Sequence, residues 1–405
     1  MTHASLLRRI TDYSNRANPY PLYEELRKTP VLQDEEGGPF LISSYWDIEG
    51  LLHDPRISSD ATNLAAAGDD ELNGAEQTGL PPSFIRLDPP EHDRLRRIAN
   101  GSFGPPHRPT RIDSMRPELA QIVTDLIDGI GDAREIDLVD QFAYPFPVTV
   151  ICRLLGVPRE DEPRFRAWVD PIVAGLDPDT RTSADAAKTA QEARMQLGMY
   201  LAGLVEERTK EPREDMLSDL VTSHGPDGAM TMMEVLSTAV LLLIAGHETT
   251  VNLITNGMLT LLRHPEFLHR LREDPGLAVN IVEELLRYEP PVQLVPQRTC
   301  IADIELRGVI IPKGSRIWLV LAAGNRDPER FHDPDRGDIQ HLGFGSGIHS
   351  CFGAPLARLE TQIALTELTR RLENPRLLED PPPYRQNAVL RGPRHLNIGF
   401  DGLRA

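Results

Sequence analysis

The stretch Phe344-Gly345-Ser346-Gly347-Ile348-His349-Ser350-Cys351-Phe352-Gly353 decides how this chain is interpreted. Its glycines predict a turn, because Gly345 and Gly347 can adopt backbone angles that a side chain would forbid. A proline and an apolar-periodic run over residues 356–372 follow and predict a helix, since proline is tolerated in a first helical turn. Cys351 is therefore predicted to lie at a helix N-terminus, where free amides and the macrodipole favour the thiolate.

A cysteine in this setting has several possible roles. Cys351 has no second cysteine nearby, and a lone thiolate suits the axial ligand of a haem iron. A buried structural cysteine is one alternative, and an active-site thiol paired with His349, as in a cysteine hydrolase, is another. Phosphate binding by the glycines is a third, but the Lys-Ser/Thr of a P-loop is absent.

The loop resembles the haem-binding loop of the cytochrome P450 monooxygenases. By that resemblance Cys351 is the proximal ligand of a non-covalently bound haem b iron, and Phe344, His349 and Gly353 contact the cofactor. The amides after the cysteine then tune the donor strength of the sulfur. The resemblance covers nearly the whole chain and implies a mainly α fold with a small β region, in which a triangular prism of helices encloses the haem.

Composition limits the possible partners and locations. The chain has 405 residues and a net charge of −18, which argues against nucleic acid and anionic membranes as partners. The longest apolar run, 239–245, is too short to span a bilayer, and the N-terminus lacks an apolar core. Three scattered cysteines exclude a disulfide framework and covalent haem. We expect one cytoplasmic, monomeric domain over residues 1–405, without a fused reductase.

Helical periodicity dominates the chain, and strands are few. A long apolar helix is predicted over about 231–262. Short segments rich in β-branched and apolar residues predict strands, with turns at Arg307-Gly308 and 312–314. The predicted strands are residues 39–43, 304–306, 309–311, 315–321 and 395–400.

The long helix carries the motif Ala245-Gly246-His247-Glu248-Thr249-Thr250. Two small residues followed by hydroxyls resemble the oxygen-binding groove of the monooxygenases. There, Ala245 and Gly246 clear space next to the cofactor, and Glu248 with Thr249 delivers protons during dioxygen activation. His247 is predicted to be structural. Taken alone, the motif also fits an amphipathic core helix with an exposed glutamate.

Two charged motifs match further parts of the family pattern. Glu284 and Arg287, at positions i and i+3, resemble the structural pair that braces the haem loop. The family adds a third arginine, but the segment from Asp335 to His341 departs from that pattern, and Arg336 is the candidate that remains. Either the loop is shortened or the sequence lacks a few residues.

Four donor groups resemble those that hold the haem propionates. His92 and Arg96 share one helix face, and Arg298 and His349 match two further contacts. Converging donors would offset the cost of burying two carboxylates. Arg94 and Arg97 fall off that face and are predicted to be exposed.

The resemblance implies a bacterial, actinobacterial-like monooxygenase that uses O2. Electrons reach it from NAD(P)H only indirectly, through a separate ferredoxin and ferredoxin reductase, with Arg97 and Arg358 as the predicted docking residues. A peroxide-driven peroxygenase on the same fold is the nearest alternative, but that class lacks the acid–alcohol pair. A haem electron carrier or gas sensor is an alternative from another class.

The substrate is predicted only as a class. By resemblance the pocket is lined by the loop 59–85, by residues 171–190 and by positions on the long helix and near the C-terminus. These positions are mostly apolar and small, which suits a steroid, terpenoid or macrolide. The pocket residues predicted individually are Ile85, Leu242, Ala245, Val292, Leu294, Val295 and Leu390.

Overall fold

The computed structural model describes residues 5–60, 62–63, 81–103, 111–175, 184–332 and 340–404. The predicted mainly α architecture is confirmed there. The helices are α1 (Leu6–Thr11), α2 (Tyr20–Arg27), α3 (Tyr45–Leu52), α4 (Glu91–Phe103), α5 (Arg111–Ser114), α6 (Arg116–Asp128), α7 (Pro145–Leu155), α8 (Glu162–Ala174), α9 (Ala184–Lys210), α10 (Met216–Thr222), α11 (Met232–Arg263), α12 (Pro265–Glu273), α13 (Ala278–Tyr288), α14 (Leu321–Gly324) and α15 (Ala354–Arg371). The strands are β1 (Val31–Gln33), β2 (Phe40–Ile42), β3 (Ile57–Ser58), β4 (Glu135–Asp137), β5 (Val295–Cys300), β6 (Ile304–Leu306), β7 (Val309–Ile311), β8 (Arg316–Leu319), β9 (Leu372–Glu373), β10 (Arg376–Leu377), β11 (Asn397–Gly399) and β12 (Gly402–Leu403).

Helix α11 forms the centre of the core. Thr231 and Glu234 start it with a capping box, in which each side chain accepts a hydrogen bond from the other residue's backbone N–H. It packs against α7, α9, α10, α13 and α15. By length and composition α11 could cross a membrane. The sequence analysis excluded a membrane span because it considered only the uninterrupted apolar run 239–245 and not the neighbouring apolar turns of the helix. However, 67% of its most apolar stretch is buried inside the protein, as in a core helix.

The largest sheet has the strand order β1-β2-β8-β5-β3. Strand β2 runs parallel to β8, with Phe40 opposite Ile317, whereas β5 runs antiparallel to β8. An irregularity in register lies between Val295 and Arg298 of β5. The strand that carries Arg298, β5, therefore lies between β8 and the N-terminal strand β3.

The five predicted strands appear at the expected places, with shorter ends in three cases. Strands β6 and β7 have the predicted bounds, and the turn between them places Arg307 at φ 49° and Gly308 at φ 78°. Two consecutive residues with positive φ are the signature of a tight hairpin turn. Strand β5 was not predicted, because Pro296 lacks the N–H that a central strand would donate and therefore argues against a strand.

Candidate active site

The cysteine loop is a compact turn between Leu342 and Gly353. Gly345 and Gly347 have φ angles of +67° and +66°, as the sequence predicts for these glycines. The backbone N–H of Cys351 donates to the Phe344 carbonyl at 2.8 Å, which closes the loop. The loop is thus held by its own backbone, and its only cysteine is placed at its end.

Cys351 differs from the other two cysteines because its side chain is exposed, whereas Cys152 and Cys300 are buried. Helix α15 begins at Ala354 with Gly353 as its N-cap, so Cys351 lies two residues before the cap rather than in the first turn. Desolvation raises the pKa of the thiol, although hydrogen bonds from the amides of Gly353 and Ala354 oppose the rise. The amides at the helix start therefore favour the thiolate, as the sequence predicts, while desolvation acts against it.

The predicted pair behind the loop is present. Arg287 donates from Nε and Nη2 to the two carboxylate oxygens of Glu284, at 2.8 and 2.5 Å. Its Nη1 also donates to the Asn325 carbonyl at 2.9 Å, and the Asn325 side chain accepts from the Leu342 N–H at 2.7 Å. Asn325, which the sequence did not single out, therefore links this pair to the start of the loop. Arg336, the predicted third member, lies outside the described residues.

A second ion pair braces the same loop. Arg358 donates from Nε and Nη2 to Glu283 at 2.6 and 2.9 Å, and the Arg358 guanidinium lies 4.6 Å from the Phe344 ring centroid. His341 Nε2 is 3.1 Å from the same carboxylate. Desolvation alone would raise the pKa of Glu283, but hydrogen bonds from His341 and Arg358 hold it at about 2. Arg358 is thus engaged by the loop, while 37% of its side chain stays exposed.

Three of the predicted propionate ligands lie close together, and two of them, His92 and His349, have unused hydrogen-bonding capacity. The rings of His92 and His349 lie 4.4 Å apart, and His92 Nε2 and His349 Nδ1 are buried without a partner among the described residues. Arg298 is buried, and desolvation lowers its pKa to about 10, although Asp88 opposes the shift. Burial and the nearby Arg298 lower the pKa of His349 to about 3. This arrangement suits anionic oxygens.

The other arginines of helix α4 have different partners. Arg96 donates to the carbonyls of Ile348 at 2.7 Å and Ser350 at 2.6 Å, so it ties α4 to the cysteine loop. Arg97 is exposed as predicted and bonds Asp227 at 2.8 Å.

Arg94 is not exposed as predicted. It is half-buried between Glu91, which it contacts at 2.8 Å, and Glu234. The pattern of the helix face could not reveal this, because Glu234 comes from α11.

On helix α11, Ala245 is exposed and Thr249 Oγ1 donates to its carbonyl at 2.9 Å. Gly246 differs from the prediction. A Cβ at Gly246 would lie 3.1 Å from Ile151 Cδ1, so the missing side chain makes room for helix α7 and not for a cofactor. The local sequence cannot distinguish these uses of glycine.

Glu248 immediately precedes Thr249 in the chain, but its side chain points into the protein and the residue is only 1% exposed. Its Oε1 is 3.1 Å from Arg385 Nε and accepts from Asn252 Nδ2 at 3.4 Å. Burial raises the pKa of Glu248 to about 7, although Arg385 opposes the rise. The adjacent His247 is fully buried, and its ring packs edge-on against Tyr144 with centroids 4.9 Å apart.

Glu360 is a further buried acid that the sequence analysis missed. It lies on α15, nine residues after Cys351, with 2% exposure. Burial raises its pKa well above the usual range, although a hydrogen bond with Thr250 of α11 opposes the rise. The sequence feature that could have identified Glu360 is the position of an acidic residue among the leucines of α15.

The predicted substrate-pocket residues are only partly brought together. Val292 and Leu390 form an isolated β-bridge, which joins two predicted lining segments. Ile85 is 40% exposed, Leu242 and Leu390 are 7% exposed, and Val295 is half-buried. Leu294 is corrected, because at 1% exposure it packs in the core and lines no open surface. Residues 61, 64–80 and 176–183 lie outside the described part of the chain.

Comparison with protein-family models matches residues 63–400 to a family described as Cytochrome P450. The chain is 40% identical to the cytochrome P450 monooxygenase PikC of Streptomyces venezuelae, over 94% of this chain and 91% of that protein. It is 38% identical to the vitamin D(3) 25-hydroxylase of Pseudonocardia autotrophica, over 93% and 92% of the two chains. The crystal structure of ligand-free CYP164A2 from Mycobacterium smegmatis matches with a TM-score of 0.88 and 41% identity, over 97% and 99% of the chains.

Proposed function

Because the chain belongs to the cytochrome P450 family, we propose that it inserts one oxygen atom from O2 into a hydrophobic small molecule, with electrons from a separate ferredoxin and ferredoxin reductase. The observation that carries the proposal is Cys351, the one exposed cysteine among the three, at the end of a glycine-shaped loop. A thiolate ligand distinguishes this chemistry from that of haem carriers with histidine or methionine ligands.

The residues fit a haem b. The exposed thiol of Cys351 can serve as the iron ligand, and the backbone amides of Gly353 and Ala354 hydrogen-bond to its sulfur. His92 Nε2 and His349 Nδ1 are buried without partners in the described structure, next to the buried cation Arg298. Unused buried nitrogens of this kind are costly unless a polar group meets them, and the two haem propionates would do so.

The bound haem supplies the activation of O2, and the protein supplies ligation, orientation and protons. Cys351 would bind the iron, while Arg298, His92 and His349 would hold the propionates. Ala245 would leave space at the reacting side, since it carries only a methyl group. Thr249 and Glu248 would hold and transfer the protons that O–O cleavage consumes.

The substrate class rests on the lining residues and on one relative. The bridge between Val292 and Leu390 joins apolar segments, and a relative with 38% identity is named for its action on vitamin D3. A steroid, terpenoid or macrolide fits this lining. A spectral titration of the ferric protein with these classes tests the assignment, because substrate displaces water from iron and shifts the Soret band. If no compound of the three classes shifts the Soret band although the haem is present, the substrate assignment is contradicted.

The docking proposal concerns two exposed cations on the cysteine side of the protein. The Arg97 side chain is 54% exposed and the Arg358 side chain is 37% exposed, although each also forms an ion pair, with Asp227 and Glu283 respectively. We retain Arg97 and Arg358 as docking residues for the ferredoxin. Charge reversal at Arg97 should weaken ferredoxin-supported turnover and reduce its salt dependence; unchanged salt dependence would argue against docking there. We further propose that residues 1–405 form one monomeric, cytoplasmic domain.

The monooxygenase assignment is tested at Thr249. Thr249→Ala should uncouple oxygen consumption from product and release peroxide, because it removes the hydroxyl that positions protons. Thr260→Ala is a matched control, since Thr260 Oγ1 makes the same bond to the carbonyl four residues earlier, at 2.7 Å, on the same helix. Equal coupling in both variants would place proton delivery elsewhere. Turnover driven by peroxide without a reductase would instead favour a peroxygenase.

A further inference from the structure

Arg194 of helix α9 is a half-buried cation whose charge is not balanced by any other group of the described chain. It forms no ion pair and no hydrogen bond with the described residues, and part of its surface stays accessible. An arginine that loses water around its charge is usually paired, because desolvation of an unpaired charge is costly. The cation therefore has room and need for an anionic partner.

The position of Arg194 on the helix explains its burial. Ala190, Leu197 and Leu201 lie on the same face of α9 as Arg194, since they are separated from it by three, four or seven positions. All three are buried, and α9 packs against α8, α10 and α11. Arg194 is thus a charged residue in the apolar stripe of α9 and not a member of its solvent-facing side.

Other desolvated arginines of the described chain differ from Arg194 in their surroundings. Burial lowers the pKa of Arg27, Arg96, Arg272 and Arg298, but in each case an acidic side chain opposes the shift. Burial also lowers the pKa of Arg194, and no charged group opposes or adds to that effect. The four other arginines have counter-charges within the fold, whereas Arg194 has none in the described structure.

Arg194 lies close to the predicted lining of the substrate pocket. A Cβ at Gly175, directly after α8, would lie 3.4 Å from Ala190 Cβ, so the end of α8 adjoins α9 one turn before Arg194. Both positions belong to the predicted lining segment 171–190. Side chains on a helix lean towards its N-terminus. The Arg194 side chain therefore covers the turn of α9 that contacts this segment.

The end of α8 is also bonded to the C-terminal part of the predicted lining. Asn387 donates from Nδ2 to the Val173 carbonyl at 3.1 Å and accepts from the Leu390 N–H at 2.8 Å. Leu390 in turn forms the β-bridge with Val292. Three lining segments are thus joined beside the turn of α9 that Arg194 covers.

We propose that Arg194 binds the carboxylate of an amphipathic substrate whose apolar body occupies the pocket. The inference rests on the proposed function and narrows its substrate class to hydrophobic molecules that carry an acid group. A guanidinium offers parallel N–H groups that match the two oxygens of a carboxylate, and such bonds are strong where water is excluded. Arg194 takes no part in the chemical step; it selects the substrate and holds one end of it.

Equilibrium dialysis of the haem-loaded protein against matched ligands tests the proposal. The probes are a long-chain fatty acid, a steroid carboxylic acid and a diterpenoid carboxylic acid, each compared with its own methyl ester. We expect at least one acid to bind about 10- to 100-fold more tightly than its ester, as a charged hydrogen bond allows. Equal binding of every acid and its ester would overturn the proposal.

Variants of α9 assign the preference to one residue. Arg194→Met should abolish it, because methionine keeps an unbranched side chain but carries no charge. Lys210→Met is the matched control, since it removes the same charge from the same helix at a side chain that is 72% exposed, and it should keep the parent ratio. Arg194→Lys should retain part of the preference. A preference that survives in Arg194→Met would overturn the assignment.

Urea unfolding without any ligand supplies a readout that does not depend on the substrate. Arg194→Met should raise the unfolding midpoint, because the folded variant no longer desolvates an unpaired charge. Lys210→Met should leave the midpoint close to that of the parent. A lower midpoint for Arg194→Met would show that the arginine stabilises the ligand-free fold, and it would overturn the proposal that the charge is kept for a ligand.

The measurements also separate this inference from the proposed function. If acids bind through Arg194 but are not oxidised when ferredoxin and its reductase supply electrons, the binding site is retained and the monooxygenase assignment fails for that class. If hydrophobic ligands are oxidised while acids and esters bind alike in the parent and in Arg194→Met, the function is retained and only the role of Arg194 is wrong.

Discussion

Arg358 of helix α15 and Glu283 of helix α13 form a two-point ion pair behind the cysteine loop, with N–O distances of 2.6 and 2.9 Å. The Arg358 guanidinium also lies over the ring of Phe344, the residue whose carbonyl accepts from the Cys351 N–H. The pair therefore connects two helices and fixes one end of the loop.

Arg358→Ala should weaken haem retention and lower the free energy of unfolding by about 1–3 kcal/mol, because Glu283 loses a charged hydrogen-bond partner. Haem release to an acceptor protein and urea unfolding measure the two effects. Arg370→Ala is the control on the same helix, since its pair with Glu367 is more exposed and should contribute less than about 1 kcal/mol. Similar losses in both variants would show that Arg358 has no special role in the loop.

Gly347→Ala should destabilise the protein more than Gly345→Ala. Both glycines have positive φ, which costs an alanine roughly 1–2 kcal/mol. A Cβ at Gly347 would also lie 2.2 Å from the Leu52 carbonyl oxygen, whereas a Cβ at Gly345 meets nothing within 4 Å. The clash should add about 1–3 kcal/mol. Urea unfolding of both variants measures the difference, and equal costs would contradict the packing against Leu52.

Glu248→Gln should change how stability depends on pH. Burial raises the pKa of Glu248 from 4.5 to about 7, so the folded state binds the proton more tightly than the unfolded state. This stabilisation is present below pH 4.5 and is lost as the pH rises through 7, by about 3 kcal/mol in total. The variant should therefore gain stability relative to the parent between pH 5 and 8. Thermal unfolding across this range tests the sign, with the exposed Glu214→Gln as control.

Asp215→Asn should destabilise the protein strongly. Asp215 is buried against Arg208 at 2.5 Å and also caps α10 by accepting from the Ser218 N–H at 2.8 Å. The variant leaves the buried Arg208 with only the more exposed Glu207, at 3.2 Å, as a counter-charge, which should cost about 3–5 kcal/mol. Lys210→Ala, which breaks the exposed pair with Glu206 on α9, should cost less than about 1 kcal/mol. Chemical unfolding that gives similar midpoints for the two variants would contradict this.

The sequence was sufficient for features that depend on local backbone chemistry. The positive φ angles of Gly345 and Gly347, the turn at Arg307-Gly308 and the bounds of α11 follow from residue type and periodicity. Strand β5 could not be predicted in this way, because its pairing with β8 overrides the local effect of Pro296.

Side-chain partners from distant elements were the main source of errors. Arg94 and Gly246 were assigned from their own helix, but Glu234 and Ile151 decide what they contact. The desolvation that acts against the Cys351 thiolate has no local signal either, because it depends on the whole surrounding fold. The same holds for Glu248, because its contact Arg385 comes 137 positions later in the sequence.

The parallel pairing of β2 with β8 has a consequence for synthesis on the ribosome. Phe40 of β2 emerges early, but its neighbour Ile317 is added only after most of the chain has been translated. Until then the edge of β2 that pairs with β8 is open, and β5, with Arg298, lacks one of its two partner strands. Pairings this distant in sequence form slowly and leave strand edges exposed to association with other chains. The nascent protein should therefore depend on chaperones until residue 319 has left the exit tunnel, and haem capture should follow release.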